Sequence, residues 1–185
     1  MLRATELAHL LLRQVLVPGA IVVDATVGNG HDTLLLAQHV GASGQVFGFD
    51  VQQSALAAAA LRLQGLPQVT LFHSGHERLA ERLPRGAKDR LAAVMFNLGY
   101  LPGGPKELIT RADTTLSALT QALDYLAIGG LVTLVLYPGH PGGDQEAAAV
   151  RSHARTLSAD FGATHCARIN SQQPAPELLV IERLR

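Results

Sequence analysis

The sequence predicts a doubly wound α/β fold, a seven-stranded and mostly parallel sheet with helices on both faces. Three observations carry that expectation. Short apolar runs alternate along the chain with segments of helical periodicity. One such run, Ile21-Val-Val-Asp24, leads through Ala-Thr-Val into a Gly28-Asn-Gly30 turn and then a helical pattern, as a buried parallel strand feeding a helix N-terminus does. The last two apolar runs are joined by a link too short for a parallel crossover, so they form an antiparallel hairpin at the C-terminus.

The elements follow in order. Glu6 to Val15 is a leading amphipathic helix that stops at Pro18-Gly19. Strands are expected at about 20–24, 45–50, 68–73 and 91–97, with helices between them at about 31–40, 52–64 and 76–83. A long helix over about 106–127 precedes the strand Leu131-Val-Thr-Leu-Val-Leu136, with Gly129-Gly130 read as its stop signal. A further helix spans about 143–160, and strands at about 163–170 and 177–184 close the chain, with Pro174 and Pro176 in the turn between them. No linker, repeat or compositional break divides residues 1–185, so a single domain is expected.

The glycine turn indicates a ligand. Gly28 and Gly30 let backbone N–H groups approach a bound group where a Cβ would collide. Asp50, at the end of the next apolar run, is placed to grip ribose hydroxyls. Dinucleotide sites use Gly-x-Gly-x-x-Gly, whereas here Thr33 stands at the third-glycine position and Asp32 in the first helical turn. An acid there repels a pyrophosphate, whose seat is the helix N-terminus, and suits a ligand that carries an ammonium and a sulfonium. S-Adenosyl-L-methionine (SAM) fits and NAD does not. Seven strands ending in a hairpin are also the class I SAM-methyltransferase pattern rather than the six-stranded nicotinamide one.

Composition narrows the partners. The chain carries 15 Lys and Arg against 15 Asp and Glu, which argues against a long nucleic-acid footprint because phosphate contacts need cations. Arg78, Arg82, Arg85, Lys88 and Arg90 nevertheless cluster, as do Arg151, His153 and Arg155. Either group reads as a solvated helix face or as a footprint for a compact RNA element. No apolar run reaches the length of a membrane span, and Arg3, Glu6 and Arg13 interrupt any signal-peptide pattern. Cys166 is the single cysteine, which excludes an internal disulfide and a Cys-based zinc site and agrees with a cytoplasmic location. The histidines show no metal-ligand spacing, so no metal is expected. With no separate recognition domain, substrate must be held by loops at the carboxyl ends of the strands, and by a second subunit if the protein is a homodimer.

The strand Leu91–Phe96 delivers Asn97-Leu-Gly-Tyr100, followed by Leu-Pro-Gly-Gly-Pro-Lys106. Behind strand four, this segment faces the methyl group of a SAM held at strands one and two, and Asn-x-x-Tyr there resembles the Asn-Pro-Pro-Tyr motif of amino-methyltransferases. An Asn carbonyl can accept an amine N–H and aim the nitrogen lone pair. The Tyr100 ring can stack on the heterocycle that carries the amine. An Asn cap and a core Tyr in a Gly/Pro loop are the ordinary alternative. Tyr137-Pro-Gly-His140-Pro-Gly-Gly143 follows strand five at the same sheet edge, as a shaped binding wall in which His140 is either a base or a binding residue. Ser74-Gly-His76 lies after strand three, beside the expected adenine position, with a Ser74 helix cap as the alternative.

Asp24-Ala-Thr-Val-Gly-Asn-Gly-His-Asp-Thr33, Phe49-Asp50-Val-Gln52, Asn97-Leu-Gly-Tyr-Leu-Pro-Gly-Gly104 and Tyr137-Pro-Gly-His-Pro-Gly-Gly143 together resemble the MnmM (YtqB-like) family over nearly the whole chain. The resemblance implies a small homodimeric SAM-dependent methyltransferase with a leading helix. Its implied activity converts the 5-aminomethyl group of the tRNA wobble uridine, commonly 2-thiolated, to 5-methylaminomethyl, with the tRNA anticodon stem-loop as partner. By position, Asp24, Thr26, Gly28, Asn29, Gly30, Asp32, Asp50, Gln52, Ser74 and His76 would hold SAM. Asn97 and Tyr100 would hold the target amine and base, and Tyr137 and His140 would line the RNA side. A small-molecule amine and ribosomal RNA are the alternative substrates.

Overall fold

The computed structural model describes residues 2–99, 109–139 and 141–185. Seven strands form one sheet in the order β3-β2-β1-β4-β5-β7-β6. They are β1 (Ile21–Asp24), β2 (Gln45–Asp50), β3 (Val69–His73), β4 (Leu91–Leu98), β5 (Leu126–Leu136), β6 (Phe161–Cys166) and β7 (Glu177–Arg183). The first five run parallel, while β7 is antiparallel to both β5 and β6. Every residue of β1 is buried, as a central strand covered on both faces requires.

Among the described residues six α-helices cover the sheet: α1 (Ala4–Leu12), α2 (His31–Val40), α3 (Gln53–Arg62), α4 (Leu79–Arg82), α5 (Ala112–Tyr125) and α6 (Gly143–Arg155). Alternate residues of one strand face opposite layers. Val22, Val46, Met95 and Val135 pack with Ala8, Leu12, Leu36 and Val40 of α1 and α2. Val23, Phe49, Phe96 and Leu134 pack with Leu79, Leu119, Ala122 and Val150 of α4, α5 and α6. The helix α1 begins where Glu6 reaches back to the Arg3 N–H at 2.8 Å and lies over β5 and β7.

Two glycines set how closely the layers meet. Gly30 caps α2 at φ +78°, and a Cβ there would come within 2.9 Å of the Ala59 Cβ on α3. A Cβ on Gly48 in β2 would meet Val27 Cγ2 at 2.6 Å and Leu71 Cδ2 at 2.7 Å. Bulk at Gly30 would push the start of α2 away from α3, and bulk at Gly48 would push the β1–α2 turn away from β2.

The fold agrees with the sequence reading in strand number, direction and hairpin, and differs in several boundaries. The Gly129-Gly130 pair does not end a helix, because α5 passes into β5 at Leu126 and the pair lies inside the strand. Gly129 has φ +77° and Gly130 fits against Leu91 O, which a Cβ would approach to 2.7 Å. The register of β4 against β5 shifts at that point, so the pair makes a bulge. Residues expected as one helix over 76–83 form a 3-10 turn, His76–Arg78, followed by α4. The helix α6 ends at Arg155, and β6 starts at Phe161. Among the described residues no helix is long and apolar enough to cross a membrane.

Candidate active site

Sheet order reverses between β1 and β4, where successive crossovers leave in opposite directions, and ligands of doubly wound sheets bind at that point, beyond the carboxyl ends of the strands. A cleft of about 950 Å³ opens there. The loops after β1, β2, β3, β4 and β5 line it, together with Thr5 of α1. Asn97, Asp32, Asp50, Gln52, Ser74, His76, Thr26, Gly28, Asn29 and Tyr137 all border this one space. Tyr100 and His140 lie outside the described residues.

Asp50 organises the wall that the glycine turn forms. Its Oδ2 accepts the Gly28 N–H at 2.8 Å and its Oδ1 accepts the Gln52 N–H at 2.8 Å. One carboxylate thereby ties the β1–α2 turn to the start of α3, and each oxygen keeps a lone pair for a ligand hydroxyl. Gly28 holds φ +50°. The Asn29 carbonyl is bound by the Arg62 guanidinium of α3, which fixes the tip of the turn.

Asp24 stands beneath this turn and is fully buried. Thr33 Oγ1 donates to its Oδ2 at 2.6 Å and the Thr26 N–H to its Oδ1 at 3.1 Å. Burial pushes its pKa up to about 7, against the opposing hydrogen bonds, and the nearby Asp32 and Asp50 carboxylates raise it further. Asp24 thus braces the turn from behind and is not among the residues that border the cleft.

Asn97 is the penultimate residue of β4 and is held from two sides. Its backbone N–H donates to Thr26 Oγ1 at 2.8 Å. Its Nδ2 donates to Asp32 Oδ2 at 2.6 Å. Because a carboxylate only accepts, this bond fixes which end of the amide is the oxygen. Asn97 Oδ1 is buried and has no hydrogen-bond partner. It is not a helix cap, since Arg111 precedes α5. Asp32 Oδ1 in turn meets His9 Nε2 of α1 at 2.7 Å.

His76 carries a second unpartnered atom. Its Nδ1 lies 3.1 Å from the Ala25 carbonyl, so Nδ1 holds the proton and Nε2 is left as a buried acceptor without a partner. Burial lowers the His76 pKa, which keeps the ring neutral, and Phe96 packs edge-on against it. Ser74 caps no helix, as its hydroxyl reaches only Gly75 O at 3.3 Å.

Two residues of this region escaped the sequence reading. His9 had no motif around it. Glu146 is 2% exposed and accepts from Thr110 Oγ1 at 2.7 Å and Thr115 Oγ1 at 2.6 Å, clamping the chain before α5 to the first turn of α6. The signal for Glu146 was legible, because it shares the helical spacing of Gly143, Ala147, Val150 and Ala154, all buried. In the two basic groups, Arg78 pairs with Glu81 and Arg151 with Glu177; Arg111, outside both groups, borders the cleft and pairs with Asp113. Among the described residues no group of acids, histidines and cysteine has the arrangement of a metal site.

A doubly wound sheet with this strand order, a glycine turn after β1, an acid closing β2 and a seventh strand inserted antiparallel defines the class I methyltransferase fold. The chain belongs to the family described as "Putative rRNA methylase", which matches residues 46–182. A chloroplastic tRNA (mnm(5)s(2)U34)-methyltransferase of Arabidopsis thaliana is 44% identical over 84% of the chain, and the chain spans 60% of that protein's length. A solved structure described as a "putative rRNA-methylase" from Clostridium thermocellum superposes with a TM-score of 0.94 at 36% identity, covering 99% of this chain and 98% of its own. A protein of Streptococcus mutans described as "a putative methyltransferase", solved in complex with S-adenosylhomocysteine, gives 0.88 at 34% identity, covering 100% and 99%.

Proposed function

We propose that the protein is a SAM-dependent N-methyltransferase that converts the 5-aminomethyl group of the tRNA wobble (2-thio)uridine to 5-methylaminomethyl. The observation that carries the reading is Asn97 Oδ1, a buried acceptor with its orientation fixed and no partner, at the edge of a nucleoside-sized cleft. An unsatisfied buried acceptor is costly, and an amine N–H is one of the donors that relieve it. The name of the Arabidopsis relative and the bound ligand of the Streptococcus structure support the same reading.

The residues present fit SAM. The Gly28 N–H is taken by Asp50 and the Gly30 N–H by the Val27 carbonyl, so the turn contributes shape rather than those two donors, and Gly30 is not among the residues that border the cleft. Asp50 offers lone pairs to ribose hydroxyls, and His76 Nε2 is a neutral acceptor suited to an adenine amino group. When bound, SAM supplies an electrophilic methyl on a sulfonium. Asn97 would hold one amine N–H and so direct the nitrogen lone pair. Tyr137 borders the cleft, and it is assigned to the base side by motif, as are Tyr100 and His140. Asp32 adds negative charge where a cationic amine or sulfonium arrives.

The chain acts in this reading as one domain in the cytoplasm. Arg111 borders the cleft and would meet a phosphate of the anticodon stem-loop with the part of its guanidinium that Asp113 leaves unengaged. A homodimer would enlarge that RNA surface, and light scattering tests it: a monomer with full activity removes the dimer. The whole reading is tested by incubating the protein with SAM and tRNA bearing 5-aminomethyl wobble uridine, then digesting to nucleosides for mass spectrometry. A gain of one methyl on that nucleoside supports the reading. Transfer to ribosomal RNA or to small amines in its place would refute it.

A further inference from the structure

We infer that His9, on the leading helix α1, is a positioning residue for methyl transfer, acting on the acceptor amine through Asp32 and Asn97. The inference rests on the amine reading of Asn97 given above and extends the site to an element that carries none of its motifs. His9 Nε2 lies 2.7 Å from Asp32 Oδ1, and Asp32 Oδ2 lies 2.6 Å from Asn97 Nδ2. Three side chains from α1, the first turn of α2 and the end of β4 are thus joined in series. The series ends on Asn97 Oδ1, the buried atom without a partner.

An ionised carboxylate has no proton to give, so His9 Nε2 is the donor in the first bond, as Asn97 Nδ2 is in the second. Each bond fixes the next group. With His9 in place, the Asp32 carboxylate has one oxygen engaged on each side and cannot rotate freely. Asp32 then holds the Asn97 amide with its nitrogen inward and its oxygen toward the amine. Without His9, Asp32 Oδ1 loses its donor, the carboxylate gains torsional freedom, and the amide oxygen loses its fixed direction. The side chains of His9 and Asp32 are 22% and 20% exposed, so water can reach Asp32 once the imidazole is removed. Asp24 and Asp50, the acids on either side of the glycine turn in the sequence, are themselves held by Thr33, Thr26, Gly28 and Gln52.

The series makes a prediction that simple helix docking does not. Gln places an amide nitrogen where His places Nε2, so His9→Gln keeps the donor to Asp32 and loses the ring. His9→Ala removes both. On tRNA bearing 5-aminomethyl wobble uridine, His9→Ala should lower kcat about tenfold or more, since misdirected nucleophiles lose much of the proximity advantage. KM for the tRNA and the SAM dissociation constant should stay within about threefold of the parent. His9→Gln should recover most of kcat. A readout without RNA accompanies it. In the protein saturated with S-adenosylhomocysteine, the Asn97 side-chain NH₂ resonance, assigned by its loss in Asn97→Ala, should move in His9→Ala and stay near its parental position in His9→Gln. Parental kcat in His9→Ala, an unmoved Asn97 resonance, or equal loss in both His9 variants would overturn the inference. If the unsubstituted protein leaves the wobble nucleoside unmethylated, the amine reading fails, and the Asn97 resonance decides the role of His9 by itself.

Discussion

Asp32 Oδ2 accepts the side-chain amide of Asn97 at 2.6 Å, and this single bond turns the Asn97 oxygen into a directed acceptor. Reversing the amide would set two oxygens against each other. The carboxylate and the amide stand 65 residues apart in the chain and meet because β1 and β4 are neighbours at the switch point. The fold therefore supplies the orientation, and Asn97 Oδ1 is left for a ligand to satisfy.

Asp50 is expected to set cofactor affinity through the turn as well as through direct contact. Asp50→Ala leaves the Gly28 and Gln52 N–H groups without their acceptor. Removing hydrogen bonds to a charged group costs about 1.5–3 kcal/mol, or roughly a ten- to hundredfold weaker dissociation constant. Titration calorimetry with SAM reads this directly. Unchanged affinity would remove Asp50 from the cofactor site.

Asp24 makes stability depend on pH in a defined direction. Its folded pKa is raised from 3.8 to about 7 by burial, so between those values the unfolded chain has released a proton that the folded chain still holds. Stability must then fall as pH rises across that window and level off above it. Below about pH 4 both states are protonated and the penalty vanishes. Asp24→Asn can accept from the Thr26 N–H and donate to Thr33 Oγ1, so it should flatten the profile and stabilise the protein at pH 8 by on the order of a few kcal/mol. Urea unfolding at pH 5 and pH 8 checks it. Parallel profiles for the two proteins would contradict this account of Asp24.

Gly30 is expected to be replaceable only at a cost in stability. Gly30→Ala adds a left-handed backbone penalty of about 1–2 kcal/mol and a Cβ within 2.9 Å of Ala59. Gly65 has φ +82° with open space around it, so Gly65→Ala carries the backbone penalty alone. Denaturant unfolding should show the larger loss at Gly30. Equal losses would mean that the approach of α2 to α3 is not tight.

How much of this was legible follows from what each feature depends on. The strands and the glycine turn could be read because burial of a parallel strand writes itself as a local apolar run, and Asp24, Asp50 and Asn97 each close such a run. Gly129-Gly130 reads as a stop signal because a glycine pair after an amphipathic helix has that composition, whereas only the register against β4, where Leu91 pairs with Leu126 and Ala93 with Leu131, shows that it is a bulge. His9 was illegible for a different reason. A lone histidine on a leading helix acquires meaning only when α1 packs over the sheet and brings it to Asp32.

The most direct measurement is single-turnover methylation by Asn97→Ala of tRNA bearing 5-aminomethyl wobble uridine, with SAM affinity measured on the same preparation. If Asn97 Oδ1 orients the amine, the rate should fall by roughly two or more orders of magnitude, while SAM affinity stays near that of the parent. A parental rate from Asn97→Ala would contradict the account, whatever cofactor the cleft then proved to hold.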